Sequence, residues 1–287
     1  IQEYFGQEAS PDVKLTYALE DKPLGTAGAV KNAEQHLSDT FFVLNGDIFT
    51  DLDLASMLAF HREKGAKVTI ALTWVENPCA YGVVETESDG RIRCFIEKPS
   101  PNHVTSNWIN AGIYTIEPEV LRYMPGNTHY MFENGLFPLL LQLGEPLYGY
   151  PFYGYWLDMG TPGKYLQLNY DLLFSKVESS LLSTLGKNGV HYGERCSIHP
   201  SAQIIGPAII GNNCKISQGV CIRGPVVIGS NCSLGENVMI EATVLWQGVV
   251  IGKHAVIEHA VVGNDTTINA DVRFTHCVVA DSNIQTM

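Results

Sequence analysis

The chain is short of cations. It has 18 lysines and arginines against 30 aspartates and glutamates in 287 residues, a formal charge of −12. No basic stripe is present to meet a phosphate backbone, which argues against general nucleic-acid binding. Phosphate ligands are not excluded by this, because a metal ion and a few placed cations suffice locally. No apolar run approaches membrane-spanning length and no leader-like segment opens the chain, so neither a membrane nor a secretory role is indicated. The seven cysteines are odd in number and contain no Cys-x-x-Cys pair, which speaks against a disulfide framework and against a zinc site. Reduced thiols in a cytoplasm are the expectation. The first residue is Ile1 rather than methionine, and Ile1–Gly6 reads as the tail of a helix. The expectation is therefore that an N-terminal part is missing.

What is present is organised around Phe41–Asp53. The run Phe41-Phe42-Val43-Leu44 reads as a buried parallel strand, and Asn45-Gly46-Asp47 turns the chain and leaves a carboxylate at the strand's C-terminal end. In open α/β sheets ligands bind there. A second carboxylate, Asp158, stands between an aromatic run and the Gly160-Thr161-Pro162 turn that opens a helix to about Ser175. These two aspartates are candidate ligands of one divalent ion over a nucleotide's phosphates.

Around them the pattern alternates strand and helix. Lys14–Leu19 reads as a strand, and the Leu24-Gly25-Thr26-Ala27-Gly28 turn leads into a helix near Ala27–Gln35. Asp53 is placed to cap a helix that Gly65 ends, with His61 at the edge of the core. Lys67–Trp74 is a strand, and Gly82–Thr86 and Ile92–Glu97 flank a Ser88-Asp89-Gly90 hairpin turn. Trp108–Thr115 is a further strand; Pro118–Tyr123 and Phe132–Leu143 are expected helices. This is a doubly wound, Rossmann-like α/β domain over residues 1–180.

After a polar linker at 181–190 the period changes. Ile198, Ile204, Ile210, Ile216, Ile222, Ile228, Leu234 and Ile240 recur every six residues, with glycines such as Gly206, Gly211 and Gly229 in the turns. Residues 191–287 are thus a hexapeptide-repeat β-helix. Cys196, Cys214 and Cys232 lie eighteen residues apart and are expected to stack as small fillers inside the prism. The register slips at Glu241–Val250 and near Val262, which predicts loops or a bulge, and the repeat stops after Phe274 without a recognisable cap.

Taken in order, Leu24–Gly28, Asn45-Gly46-Asp47, Tyr81-Gly82-Val83, Glu97-Lys98-Pro99, Asn110-Ala111-Gly112 and Trp156–Pro162 resemble the sugar-phosphate nucleotidyltransferases. Within that family the resemblance is to guanylyltransferases acting on mannose 1-phosphate that carry a C-terminal left-handed β-helix. It implies transfer of a nucleotidyl group from a nucleoside triphosphate, GTP, to a sugar 1-phosphate, with release of pyrophosphate. By the same resemblance Gly25 and Thr26 lie against base and ribose, and Asp47 and Asp158 hold Mg²⁺. Gly82 leaves space for the sugar, Glu97 and Asn110 meet its hydroxyls, and Lys98 meets its phosphate. Glu20 falls where a base-reading side chain is placed; a surface charge is the equal alternative. The family's Gly-Gly-x-Gly-Thr-Arg-Leu loop has no counterpart before Leu24, so little or no turnover is expected from this chain alone.

Three other readings stay open at this point. A regulatory or assembly subunit would keep the fold without catalysis, although retention of both aspartates, Glu97 and Lys98 argues against it. A thymidylyl- or uridylyltransferase acting on glucose 1-phosphate would use another base and sugar. Acyltransfer by the β-helix would need a histidine base, for which His191, His199, His254, His259 and His276 are candidates by type only. A rigid module that assembles copies of the chain into a homo-oligomer is the preferred role for the repeat.

Overall fold

The computed structural model describes Phe5 and residues 13–174, 189–280 and 283–287. The expected helix tail at Ile1–Gly6 and most of the expected linker lie outside these. The chain forms two compact units, Ile1–Trp156 and Leu157–Met287.

The first unit is built on a six-stranded mixed sheet. Its strands are β1 (Phe41–Leu44), β3 (Val68–Trp74), β4 (Gly82–Thr86), β5 (Ile92–Glu97), β6 (Trp108–Ile116) and β7 (Leu147–Pro151); β2 (Ile48–Thr50) lies outside it. β6 is the hub. It runs antiparallel to β1 on one side, with Phe41 opposite Ile116, and to β3 on the other, with Val68 opposite the same Ile116. β3 and β7 are parallel. Alternation of side chains along β3 and β6 then feeds two cores. Val68, Ile70, Leu72, Tyr114 and Ile116 pack with Phe132, Phe137 and Leu140 on one face, while Ala71, Ala111 and Ile113 pack with Met57 and Phe152 on the other. A doubly wound arrangement follows, with helices α1 (Gly25–Asn32) and α3 (Phe137–Gln142) on the first face and α2 (Leu54–Lys64) on the second.

Local signals set the ends of α2. The Asp53 carboxylate accepts from Ala55 N at 2.9 Å, and Gly65 closes the helix at φ 55°. His61 is buried, not at the core's edge, and both ring nitrogens are satisfied, by Thr69 Oγ1 at 2.8 Å and Glu117 Oε1 at 3.1 Å. Burial holds its imidazole below the usual range, and Glu117 opposes that.

Two strand expectations fail. Lys14–Leu19 forms no strand; Val13, Leu15, Tyr17 and Leu19 are all exposed, because the alternating segment has no sheet partner among the described residues. β1 is not the buried parallel strand that its four apolar residues suggest. Its neighbour is antiparallel, its residues are half-buried, and Leu44 is 51% exposed, because among the described residues β1 is paired on one side only. An apolar cleft of about 400 Å³ runs beside it, against α1, between Val30, Ala33, Phe41 and Val43. The expected helices at 118–123 and 132–143 are a 3₁₀ segment and a π-turn (Phe132–Leu136) followed by α3.

The second unit is a parallel β-solenoid. One face stacks Ser197–Ile198, Lys215–Ile216, Ser233–Leu234, Val250–Ile251 and Thr267–Ile268. Cys214 and Cys232 are buried in its core, and each thiol of the expected column also donates to a main-chain carbonyl of the next coil: Cys196 to Gly211 O, Cys214 to Gly229 O and Cys232 to Trp246 O, at 3.0–3.2 Å. The register slip is a contraction rather than a loop. Coils advance eighteen residues as far as Ser233 and seventeen thereafter. The lost residue is absorbed at a corner where Ala242, His259 and His276 all take positive φ, and Val256–Val262 runs through it as one strand. The His259 and His276 rings stack there at 4.7 Å. The repeat does have a terminal device: Asn283–Thr286 folds back antiparallel on Arg273–Ala280.

Helix α4 (Pro162–Leu173), with Thr161 as its cap, belongs to this second unit. Leu166 packs with Val244 and Val261 of the solenoid, Tyr165 meets Trp246 edge-on, and the Tyr170 hydroxyl donates to Ala242 O.

Candidate active site

The glycine-rich turn is docked by backbone contacts. Gly28 N donates to Tyr130 O at 2.9 Å and Tyr130 N to Leu24 O at 2.8 Å. Gly25 has φ +75°, and a Cβ there would sit 2.8 Å from Tyr130 O, so only glycine fits both the conformation and the approach. Glu20 is exposed and its carboxylate accepts from Leu24 N at 2.9 Å, bracing the start of the turn.

Two further motifs interlock at the end of the sheet. Asn45 N donates to Gly112 O at 2.9 Å, and the Asn45 amide fills the space beside Gly112, itself at φ +73°. This leaves Asp47 exposed in the turn between β1 and β2. Asn110 accepts from Gly112 N and donates to the Tyr114 hydroxyl, each at 2.9 Å.

Glu97 closes the β4–β5 hairpin directly opposite Gly82. A Cβ on Gly82 would lie 2.8 Å from Glu97 Oε2 and 2.6 Å from the Phe95 ring, so the missing side chain is what admits the carboxylate. The next residue, Lys98, holds φ +46°, an unusual backbone conformation for a long side chain, and its exposed ammonium is 4.0 Å from Glu97 Oε1. Burial, and after it the charge of Glu133, push the Glu97 carboxyl above the usual carboxylate range, with Lys98 opposing.

Glu133 is the residue that the sequence reading missed. It lies in the π-turn before α3, half-buried, and its Oε2 accepts from Thr26 Oγ1 at 3.1 Å, while Thr26 Oγ1 accepts from Phe132 N at 3.0 Å. Burial and then the charge of Glu133 raise the Tyr114 phenol, whose oxygen accepts from Asn110 Nδ2. A lone Glu-Asn pair inside Phe132–Leu141, otherwise almost wholly apolar, was the available signal. The structure therefore joins Thr26 to Glu133 and Asn110 to Tyr114 by separate hydrogen bonds, and sets Glu97 against Gly82 with Lys98 next to it.

Asp158 lies on the second unit and its Oδ1 accepts from Gly160 N at 2.8 Å. Among the described residues no group of three or more His, Cys, Asp or Glu side chains could hold a metal ion. Asp47 and Asp158 each present a carboxylate, the hard oxygen ligand that Mg²⁺ takes.

A doubly wound sheet with a Gly-rich turn and a Glu-Lys pair opposite a glycine, followed in the chain by a β-solenoid, defines a nucleotide-handling transferase fold. Residues 1–174 match the Nucleotidyl transferase family and residues 187–286 match the EIF2B subunit epsilon LbH domain; the chain belongs to the nucleotidyltransferase family. Members of that family generally use a divalent metal. Among curated proteins it is similar to Mannose-1-phosphate guanylyltransferase of Mycobacterium tuberculosis (strain ATCC 25618 / H37Rv), 36% identical over 72% of this chain and 57% of the relative. It is similar to Mannose-1-phosphate guanylyltransferase 1 of Arabidopsis thaliana, 32% identical over 96% of this chain and 73% of that protein. It is also 34% identical to UTP--glucose-1-phosphate uridylyltransferase of Synechocystis sp. (strain ATCC 27184 / PCC 6803 / Kazusa), over 74% of this chain and 58% of that one. The chain thus spans little more than half the length of several relatives it matches. No helix among the described residues is long and apolar enough to cross a membrane.

Proposed function

We propose that the chain carries the sugar-phosphate half and part of the nucleotide half of a mannose-1-phosphate guanylyltransferase, with the nucleotidyltransferase domain at 1–180 and the β-helix at 191–287. The observation that carries this is the Glu97-Lys98 pair held over Gly82, an acceptor for sugar hydroxyls next to a cation for the phosphate. The reaction is attack by a sugar 1-phosphate oxygen on the α-phosphorus of GTP, forming a P–O bond as the bond to pyrophosphate breaks. The attacking phosphate is already an anion, so no protein nucleophile or strong base is needed. Lys98 orients and neutralises it. Gly25 and Thr26 position the base and ribose through the docked turn, and Glu20 is the candidate reader of the guanine edge. Mg²⁺, held by Asp47 and Asp158, would supply charge neutralisation at the triphosphate.

The reading sets the protein in a cytoplasm, the compartment of nucleotide-sugar supply. The match of the solenoid to the EIF2B subunit epsilon LbH domain supports the assembly role for the repeat, with copies of the chain as partners.

The test is calorimetric titration of the full chain with mannose 1-phosphate, glucose 1-phosphate, GDP-mannose and UDP-glucose, alongside K98A. Preference for the mannose and guanine compounds, with at least tenfold weaker mannose 1-phosphate binding by K98A, supports the proposal. UDP-glucose bound in preference would move the assignment to a uridylyltransferase, and no binding of any of the four would overturn it.

A further inference from the structure

The first unit has a cavity apart from the motif residues. It encloses about 460 Å³, and Glu85, Thr86, Arg93, Thr105, Ser106 and Trp108 line it, from β4, β5 and the segment that enters β6. Glu85 pairs with Cys94 across the hairpin, three positions along β4 from Gly82, which faces Glu97. At about 3.3 Å per strand residue the two places are roughly 10 Å apart. They have no residue in common.

Its lining is mainly polar, unlike the cleft beside β1. Arg93 Nη2 donates to Glu85 Oε2; the Glu85 side chain is 15% exposed and that of Arg93 66%, so the carboxylate lies deep and the guanidinium at the rim. Thr86, Thr105 and Ser106 add three hydroxyl groups, each able to give and to take a hydrogen bond. Ser106 Oγ accepts from Trp108 N at 3.1 Å, which holds the segment to the strand it enters. Trp108 supplies the aromatic wall. It is half-buried against the first core, and Tyr153 meets its ring edge-on at 5.4 Å. Trp74, opposite Trp108 in the pairing of β3 with β6, is 56% exposed and Tyr153 is 86% exposed.

Large aromatic side chains left exposed beside a polar cavity call for a ligand that is apolar on one face and hydroxylated round its edge. A hexopyranose ring has that form. The C–H bonds of one face carry partial positive charge and suit the negative face of an indole. Its hydroxyls can give to the Glu85 carboxylate and take from the Arg93 guanidinium. A phosphate ester suits the cavity less, because Glu85 already neutralises Arg93 and repels a further anion. The volume is within the range of small-molecule sites, roughly 300–1,000 Å³.

We infer that this cavity is a carbohydrate site in its own right, which takes one unphosphorylated hexopyranose ring on Trp108, with Glu85 and Arg93 at its hydroxyls. It stands independently of the sugar-phosphate reading above.

The test is calorimetric titration of the full chain with methyl α-mannopyranoside and methyl α-glucopyranoside, alongside R93A, W108A and K98A. The parent should bind at least one glycoside. R93A should weaken that binding about tenfold, the loss of a hydrogen bond to a charged group. W108A should weaken it at least as much; Arg93 is at the rim, so R93A keeps the inference refutable where W108A fails to fold. K98A should bind the glycoside within about twofold of the parent, and R93A should bind mannose 1-phosphate within about twofold. Glycoside binding with this dependence in a parent that takes no mannose 1-phosphate would support the inference while removing the sugar-phosphate reading. No binding of either glycoside would overturn the inference, as would binding that K98A abolishes and R93A leaves unchanged.

Discussion

Replacing Gly82 by alanine adds a single methyl group at the point where the hairpin, the aromatic core and the candidate sugar site meet. The added Cβ would lie 2.6 Å from Phe95 Cζ and 2.8 Å from Glu97 Oε2, against 3.4–4 Å for ordinary contact. Phe95 must retreat by about 1 Å, and it is already tilted against Phe137 at a centroid distance of 5.4 Å, so the strain passes into the core. Overpacking of this kind costs about 1–3 kcal/mol. Reduced freedom of the unfolded chain returns about 0.4–1 kcal/mol, since Gly82 does not need a positive φ. The net loss is centred on roughly 1.3 kcal/mol and reaches at most about 2.6 kcal/mol, or about 3–5 °C and at most about 10 °C in the melting temperature of a unit of this size. The methyl also moves Glu97, and mannose 1-phosphate affinity should fall about tenfold. Thermal unfolding by circular dichroism reads the first effect and calorimetric titration the second. Gly126→Ala, with nothing within 4 Å of its Cβ, is the control and should match the parent in both. If G82A melts and binds like the parent, the packing argument for the Gly82–Glu97 pair is wrong.

Acidification should destabilise the first unit from about pH 6.5 downward, its melting temperature falling over pH 7 to 4. Burial depresses the His61 imidazole from its usual 6.5, so its contribution is whole above that value and is lost as pH falls through it. Glu117 is pushed up by burial but more strongly lowered by Thr40, His61 and Lys67, and it adds a second loss nearer pH 4. A flat profile would contradict this. A thiol reagent should modify Cys79, Cys94, Cys196 and Cys221 in the native protein and reach Cys214, Cys232 and Cys277 only after unfolding; peptide mapping that finds Cys214 or Cys232 labelled early would refute the closed solenoid core. Gly211→Ala would bring a Cβ to 2.6 Å from Ser230 N, a contact between backbones that cannot yield, and should cost more than about 3 kcal/mol of solenoid stability by urea unfolding.

Period was legible in the sequence and neighbourhood was not. The six-residue repeat, the Asp53 and Gly65 ends of α2 and the β4–β5 hairpin each rest on residues close together in the chain, and each stands as read. Lys14–Leu19 and β1 have strand-like side chains, but whether a strand is buried or paired depends on what lies beside it, and nothing within four apolar residues records that. The contraction to seventeen residues was seen as a slip but not as a shorter corner, because positive φ at Ala242, His259 and His276 leaves no mark in residues of those types. Six motifs drew attention to Gly82, Glu97, Lys98 and Asn110, whereas Glu133 came into view only through the side chains that converge on it.

The grouping of α4 with the solenoid bears on how the molecule can be divided. The short strand that ends at Asp158 runs, after three residues, into a helix whose apolar side is seated on Val244 and Val261. A shortened protein cut at the linker would keep every candidate sugar-site residue and yet strip the bedding from Leu166, Tyr165 and Tyr170. The repeat is thus a buttress for the helix that follows Asp158, and pruning it would be felt within a few residues of that candidate metal ligand.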